Sequence, residues 1–186
     1  MKTIYFDTET TGLIKKGVKD LSKQPYIIDI GAVIVEVNED GEEKIETFES
    51  LVKPPVKLEE KITKITKLTD DDLVDAPAFA DIIPELKKVF DGCGYLVIHN
   101  AAFDCGMLRN ELKRNNALSG FPKPKNVICT VEEFTPLFGR YPKLTEVWEL
   151  VFHTTLDEKH RALSDAMDLY KICKHEGIPN GQGADE

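Results

Sequence analysis

The feature that most constrains this chain is where it places its acids. The run Asp7-Thr8-Glu9-Thr10-Thr11-Gly12-Leu13 directly follows the apolar run Ile4-Tyr5-Phe6. Side chains on a strand alternate between faces, so Asp7 and Glu9 point the same way and Thr8 points back. Two like charges held side by side repel, and a hard divalent cation is the usual remedy. Gly12 then supplies a turn where backbone approaches a ligand closely. Taken alone, the pair has a second reading, a strand that simply ends in a polar turn, because so short a motif often arises without function.

Two further clusters bear on that choice. Val97-Ile98-His99-Asn100-Ala101-Ala102-Phe103-Asp104 repeats the plan of an apolar strand followed by an acid near a helix start. His160-Arg161-Ala162-Leu163-Ser164-Asp165-Ala166 sets a histidine and an aspartate five residues apart. Residues at that spacing differ by about 140° around a helix, so His160 and Asp165 share a site only if His160 lies just before the helix. A histidine on that preceding loop reaches the site from the side, as a base and not as a ligand.

In this order and at these separations, the three clusters resemble the DEDDh exonucleases, the DnaQ-like family that includes the proofreading epsilon subunit of bacterial replicative polymerases. Ile27-Ile28-Asp29-Ile30-Gly31-Ala32-Val33 is similar to the family's second strand, and the resemblance runs from about Lys2 to about Lys174. It implies an α/β, ribonuclease H-like mixed sheet, three antiparallel strands plus parallel strands, flanked by helices. It also implies that Asp7, Glu9, Asp104 and Asp165 hold two Mg²⁺ or Mn²⁺ ions, which clamp an in-line phosphoryl displacement. His160 is the implied general base that takes a proton from water. By position, Thr8, Thr10, Leu13, Ile65, Thr66, Asn100 and Phe103 line the terminal-nucleotide pocket. Many relatives carry a His-Gly-Ile-Thr-like stretch where this chain has Ile65-Thr66-Lys67-Leu68-Thr69, so Thr66 and Lys67 replace His and Gly.

Three functions follow as alternatives. The first is a metal-dependent 3′-to-5′ exonuclease acting on single-stranded or frayed 3′ ends of DNA, alone or with a DNA polymerase catalytic subunit. The second is the same chemistry on RNA ends or short oligonucleotides, since the acids do not distinguish the sugars. The third is a non-catalytic scaffold of the same fold.

Composition fits a protein of this kind. At 186 residues the chain has the size of one domain with a real core, expected over 1–176, and its end, 177–186, is rich in Gly and reads as a flexible tail. No stretch approaches the apolar length needed to cross a membrane and no signal peptide is evident, so a cytoplasmic protein is expected. Cys93, Cys105, Cys129 and Cys173 form no C-x-x-C pair, which argues against a zinc site or a disulfide framework. With 33 acidic and 24 basic residues the net charge is −9, the reverse of the basic footprint usual for nucleic-acid binders. Bound cations would offset that charge where phosphate must approach, and nucleic-acid contact is expected to be shallow, with a modest salt dependence.

Strands are predicted over Ile27 to Val37 and Ile45 to Val52, joined by the Asn38-Glu39-Asp40-Gly41 turn and paired antiparallel with the first strand. Further strands are predicted at Tyr95 to His99 and Val127 to Thr130, and helices at Ala76 to Phe90, with Pro77 in the first turn, and at Phe103 to Asn115. Val131 to Phe138, Leu144 to Phe152 and Arg161 to Glu176 read as the remaining helices. Thr69-Asp70-Asp71-Asp72 has the form of a capping box and reads as a helix start, not a metal site. His99, on a buried strand, reads as a hydrogen-bonded core histidine, His153 and His175 as surface or helix-end residues, and Trp148 as helix core. Lys15, Lys16, Lys19 and Lys23 make a basic loop that is either a phosphate wall or a solvated face.

Overall fold

Nine consecutive residues, Ile27 through Val35, are buried in the strand Ile27–Val37, which requires cover on both faces. A computed structural model of the chain, which describes residues 1–157 and 159–179, shows how that cover is built. The strands are β1 (Lys2–Thr10), β2 (Ile27–Val37), β3 (Glu43–Leu51), β4 (Tyr95–Ile98) and β5 (Asn126–Cys129). The helices are α1 (Glu60–Thr66), α2 (Phe79–Phe90), α3 (Ala101–Arg114), α4 (Thr130–Phe138), α5 (Leu144–Phe152) and α6 (Ala162–Glu176). The five strands form one sheet in the order β3-β2-β1-β4-β5. β1, β2 and β3 pair antiparallel, while β4 lies parallel to β1 and β5 parallel to β4.

Alternation along β1 sorts the layers. Ile4 and Phe6 join Ile30, Ala32 and Ile34 under α2 and α3, with Leu86, Phe90, Met107 and Leu108 closing that core. Tyr5 joins Val33, Val35 and Val97 on the opposite face under α6, against Ala166, Leu169 and Tyr170. Asp7 and Glu9 continue the α6 face, and Thr8 continues the other. Removal of these apolar side chains from water, at roughly 25 cal/mol per Å², is the main force holding helices to the sheet.

Several elements depart from their predicted form. α2 starts at Phe79, not Ala76, because the Pro77 carbonyl accepts the Lys53 N–H at 2.9 Å and draws the preceding residues out along the end of β3. Pro77 therefore precedes the helix. The Thr69–Asp72 box does form, with the Asp72 carboxylate accepting the Thr69 hydroxyl at 2.6 Å and amide at 2.8 Å. It opens successive turns and not a helix, as Leu73 inserts into a small core with Ile28 and Leu68. α1, which the sequence reading does not foresee, lacks a side-chain cap at Glu59 and ends on Lys67 at φ 61. That left-handed residue stands where the family resemblance places Gly, and the conformation explains the preference.

Three residues of the expected tail, 177–179, are among those described. Gly177 ends α6 at φ 68, and the Ile178 carbonyl accepts the Tyr5 hydroxyl at 3.2 Å while its side chain packs under α6. The packed body thus continues through Pro179, and the remainder of the tail lies outside the described residues. Among the described residues no helix is long and apolar enough to cross a membrane.

Candidate active site

The site begins with register. Asp7 pairs with Gly31 and Glu9 with Asp29 across β1 and β2, all on the α6 face. Gly31 is required there: a Cβ at this position would sit 2.1 Å from the Leu163 amide nitrogen and 2.2 Å from the Ala162 carbonyl carbon. Only a missing side chain lets the first turn of α6 lie directly on the strand. Asp165, in that turn, is thereby carried to β1, where one oxygen from each of Asp7, Glu9 and Asp165 lies within 4.8 Å of the others.

Asp104 arrives from the opposite layer. The β1–β4 pairing runs only from Thr3–Tyr95 to Tyr5–Val97, so the acidic end of β1 extends past β4, and the first turn of α3 stands beside it. Asp104 is 3% exposed and accepts the Thr8 hydroxyl at 2.6 Å. Thr8, expected at the nucleotide, donates its hydroxyl to this acid. The reason is strand alternation, which turns Thr8 toward α3.

The four carboxylates form one electrostatic unit. Loss of water contact raises Asp7 well above the usual carboxylate range, and the charges of Asp104, Asp165, Glu9 and Asp29 raise it further. Burial, then Asp165, Asp29 and Asp104, pushes Glu9 up to about 8, against a smaller opposing pull from Arg161. Burial raises Asp104, while its Thr8 hydrogen bonds oppose the rise. An all-oxygen cluster that cannot ionise fully by itself is the donor set hard divalent cations satisfy. Asp7, Glu9 and Asp165, with Asp104 beside them, fit such ions.

The remaining predicted residues divide. Thr8, Thr10, Leu13, Ile65, Thr66 and Phe103 line one cleft of about 900 Å³ that also reaches Glu9. Leu13 is 79% and Ile65 45% exposed, so both present apolar surface to it. Thr66 is buried, and its hydroxyl is bound to the Ile62 carbonyl at 3.0 Å and the Leu68 amide at 3.2 Å. The Thr10 hydroxyl is likewise bound to Gly12. Asn100 heads α3 in a left-handed conformation, φ 73. His160 is half-buried, two residues before α6, at φ 48. His99 is a wired core residue: Nε2–H donates to the Pro142 carbonyl (3.1 Å), so Nδ1 accepts the Thr130 hydroxyl (3.0 Å).

Sequence reasoning missed the supports. Asp29 binds Arg161, and Arg114 wires the basic loop by donating to the carbonyls of Leu21, Gln24 and Pro25 while stacking on Tyr26. Gln24 does the same from inside, bonding Lys15 and Val18. At the β-bulge between Glu9 and Thr10, buried Glu111 accepts the Ile27 amide and pairs with Arg114. A charged residue inside a buried apolar run, as Asp29 is, was the available signal.

Fold and site together define a ribonuclease H-like α/β domain with an acidic centre suited to divalent cations. The chain belongs to the RNase T exonuclease family, whose profile, described as "Exonuclease", matches residues 4–173. It is 32% identical to "DNA polymerase III subunit epsilon" of Treponema pallidum over 95% of this chain and 78% of that protein. It is 34% identical to "DNA polymerase III PolC-type" of Clostridium perfringens over 92% of this chain, which spans only 11% of that protein. Among solved structures, "Exonuclease X in complex with 5' overhanging duplex DNA" shares the fold with a TM-score of 0.61 at 21% identity, covering 98% of this chain and 94% of that one. A full-length 3′-exonuclease structure gives 0.68 at 18%, over 97% and 61%.

Proposed function

We propose that this exonuclease removes nucleotides from the 3′ ends of single-stranded or frayed DNA with two Mg²⁺ or Mn²⁺ ions, releasing nucleoside 5′-monophosphates. The observation that carries the reading is the convergence of Asp7, Glu9 and Asp165 oxygens within 4.8 Å, with Asp104 acting on Asp7 through its charge, beside a cleft of about 900 Å³. When bound, the cations supply positive charge and Lewis acidity at the scissile phosphate. His160 takes the proton of the attacking water as that water's oxygen bonds phosphorus. The phosphorus–O3′ bond breaks and the departing O3′ takes a proton from solvent, leaving a 3′-hydroxyl on the shortened strand, while His160 returns its proton to solvent. Exposed Leu13 and Ile65 hold the terminal base, and Thr8 keeps Asp104 in place.

DNA is favoured as substrate by the similarity to DNA polymerase III proteins; working beside a DNA polymerase catalytic subunit is part of this proposal. Incubating the purified chain with Mn²⁺ and 5′-labelled single-stranded DNA is expected to give a stepwise ladder. No products across metals and pH would overturn the assignment and favour a scaffold, and faster shortening of a matched RNA would move the substrate to RNA. His160→Ala is expected to lower turnover by roughly 10² to 10⁴ with Mn²⁺ affinity intact by calorimetry. A lost metal would make His160 a ligand.

A further inference from the structure

The start of α6 is tied to β2 by more than packing. Asp29, 1% exposed, uses one carboxylate oxygen, Oδ2, to accept the Arg161 Nε–H at 2.7 Å and the Ala162 amide at 3.3 Å. A strand residue 133 positions earlier thus caps the first turn of a helix that has no side-chain cap of its own. Two residues along the same strand face, the Gly31 notch receives Ala162 and Leu163. Clasp and notch therefore fix the same three residues, 161 to 163. His160 stands immediately before them at φ 48, while Arg161 returns to extended backbone at φ −129, ψ 127. A left-handed conformation is uncommon for any residue other than glycine, and histidine is among the side chains that adopt it at less cost, so a modest restraint on the neighbouring backbone is enough to hold it. Asp29 is buried but the Arg161 side chain is 43% exposed, and an ion pair open to water on one side adds little stability, so its presence calls for another reason.

We propose that Asp29 and Arg161 are positioning residues: their ion pair pins the chain just after His160 and holds the kinked backbone from which the imidazole serves the reacting water. The inference rests on the reading of His160 as the base. It also gives Asp29 a task apart from the converging oxygens of Asp7, Glu9 and Asp165, since its Oδ2 is committed to two donors.

The test is a double-mutant cycle against His160, read by kcat, KM and calorimetric Mn²⁺ affinity. Arg161→Gln is expected to lower kcat about 10- to 100-fold with KM and Mn²⁺ affinity unchanged, and Arg161→Lys to recover most of the loss. In a His160→Ala background the same Arg161→Gln change should alter kcat by less than about two-fold, because the group it positions is gone. Equal losses in both backgrounds overturn the inference, as do a raised KM, which means Arg161 grips phosphate itself, and a weakened Mn²⁺ affinity. If Arg161→Gln does not fold because Asp29 is left unpaired, Asp29→Leu with Arg161→Met, which leaves no buried charge, carries the same cycle. Wild-type turnover in His160→Ala alone would instead remove the base assignment on which the inference rests.

Discussion

Single residues at this site trade stability for capacity to bind cations. Glu9, with a folded pKa of about 8 against an ordinary 4.5, keeps its proton in the folded protein at pH values where the unfolded chain has released it. Stability from that protonated form is complete below the unfolded value and is lost as pH rises through the folded one. Asp7 and Asp104 shift in the same direction. In chelator, the melting temperature is expected to fall between about pH 5 and pH 8.5, and saturating Mn²⁺ should flatten or reverse that slope. A metal-free melting temperature that stays level or climbs over this range would refute the repulsive cluster. Asp7→Asn separates the two effects. It should raise the metal-free melting temperature by relieving repulsion, yet weaken Mn²⁺ binding by at least about ten-fold, since even outer-shell partners of a metal are worth that much. Unchanged Mn²⁺ affinity by calorimetry would contradict the role given to Asp7.

At the scale of elements, two contacts decide how the site is assembled. α6 reaches β1 because position 31 has no side chain, so Gly31→Ala forces backbone apart. Overpacking of this kind commonly costs about 1–3 kcal/mol, and here the displaced turn carries Asp165. Denaturant unfolding should show that loss together with reduced nuclease activity; a variant matching the parent in both would disprove the notch. The loop from 11 to 26 is the second case. Its composition reads as a basic loop, and Gln24 and Arg114 bind its carbonyls from within, while Arg114 balances buried Glu111. Arg114→Ala leaves that acid without its partner, a change that typically costs 3–5 kcal/mol. Limited proteolysis should then cut within 11–26, and an uncut, equally stable variant would show that the loop is held by something else.

For the molecule as a whole, the question is how a chain of net charge −9 holds nucleic acid. Lys15, Lys23, Lys57 and Lys61 line the cleft, two on the wired loop and two beside or within α1, so positive charge is gathered where a strand would run. Four phosphate contacts on a single strand give a slope of log affinity against log salt of about −3. Fluorescence anisotropy with an oligonucleotide checks this, and a slope beyond about −6 would place binding outside the cleft. By itself the sequence determined the strands, every helix but α1 and the three acidic segments, because alternation along a strand and helical periodicity are local properties of the chain; that Asp7, Glu9, Asp104, His160 and Asp165 share one site was implied by the family resemblance. The sequence also carried, unread, the signal at Asp29, a charge inside an apolar run. Only the tertiary structure decided that Asp104 comes from the layer opposite Asp165, that the Thr8 hydroxyl is bound to Asp104, that Thr66 is buried in α1, and that Asp29 caps α6. Each of these depends on register and on which helix lies against which face, and such contacts between distant segments are fixed by how the layers pack against each other.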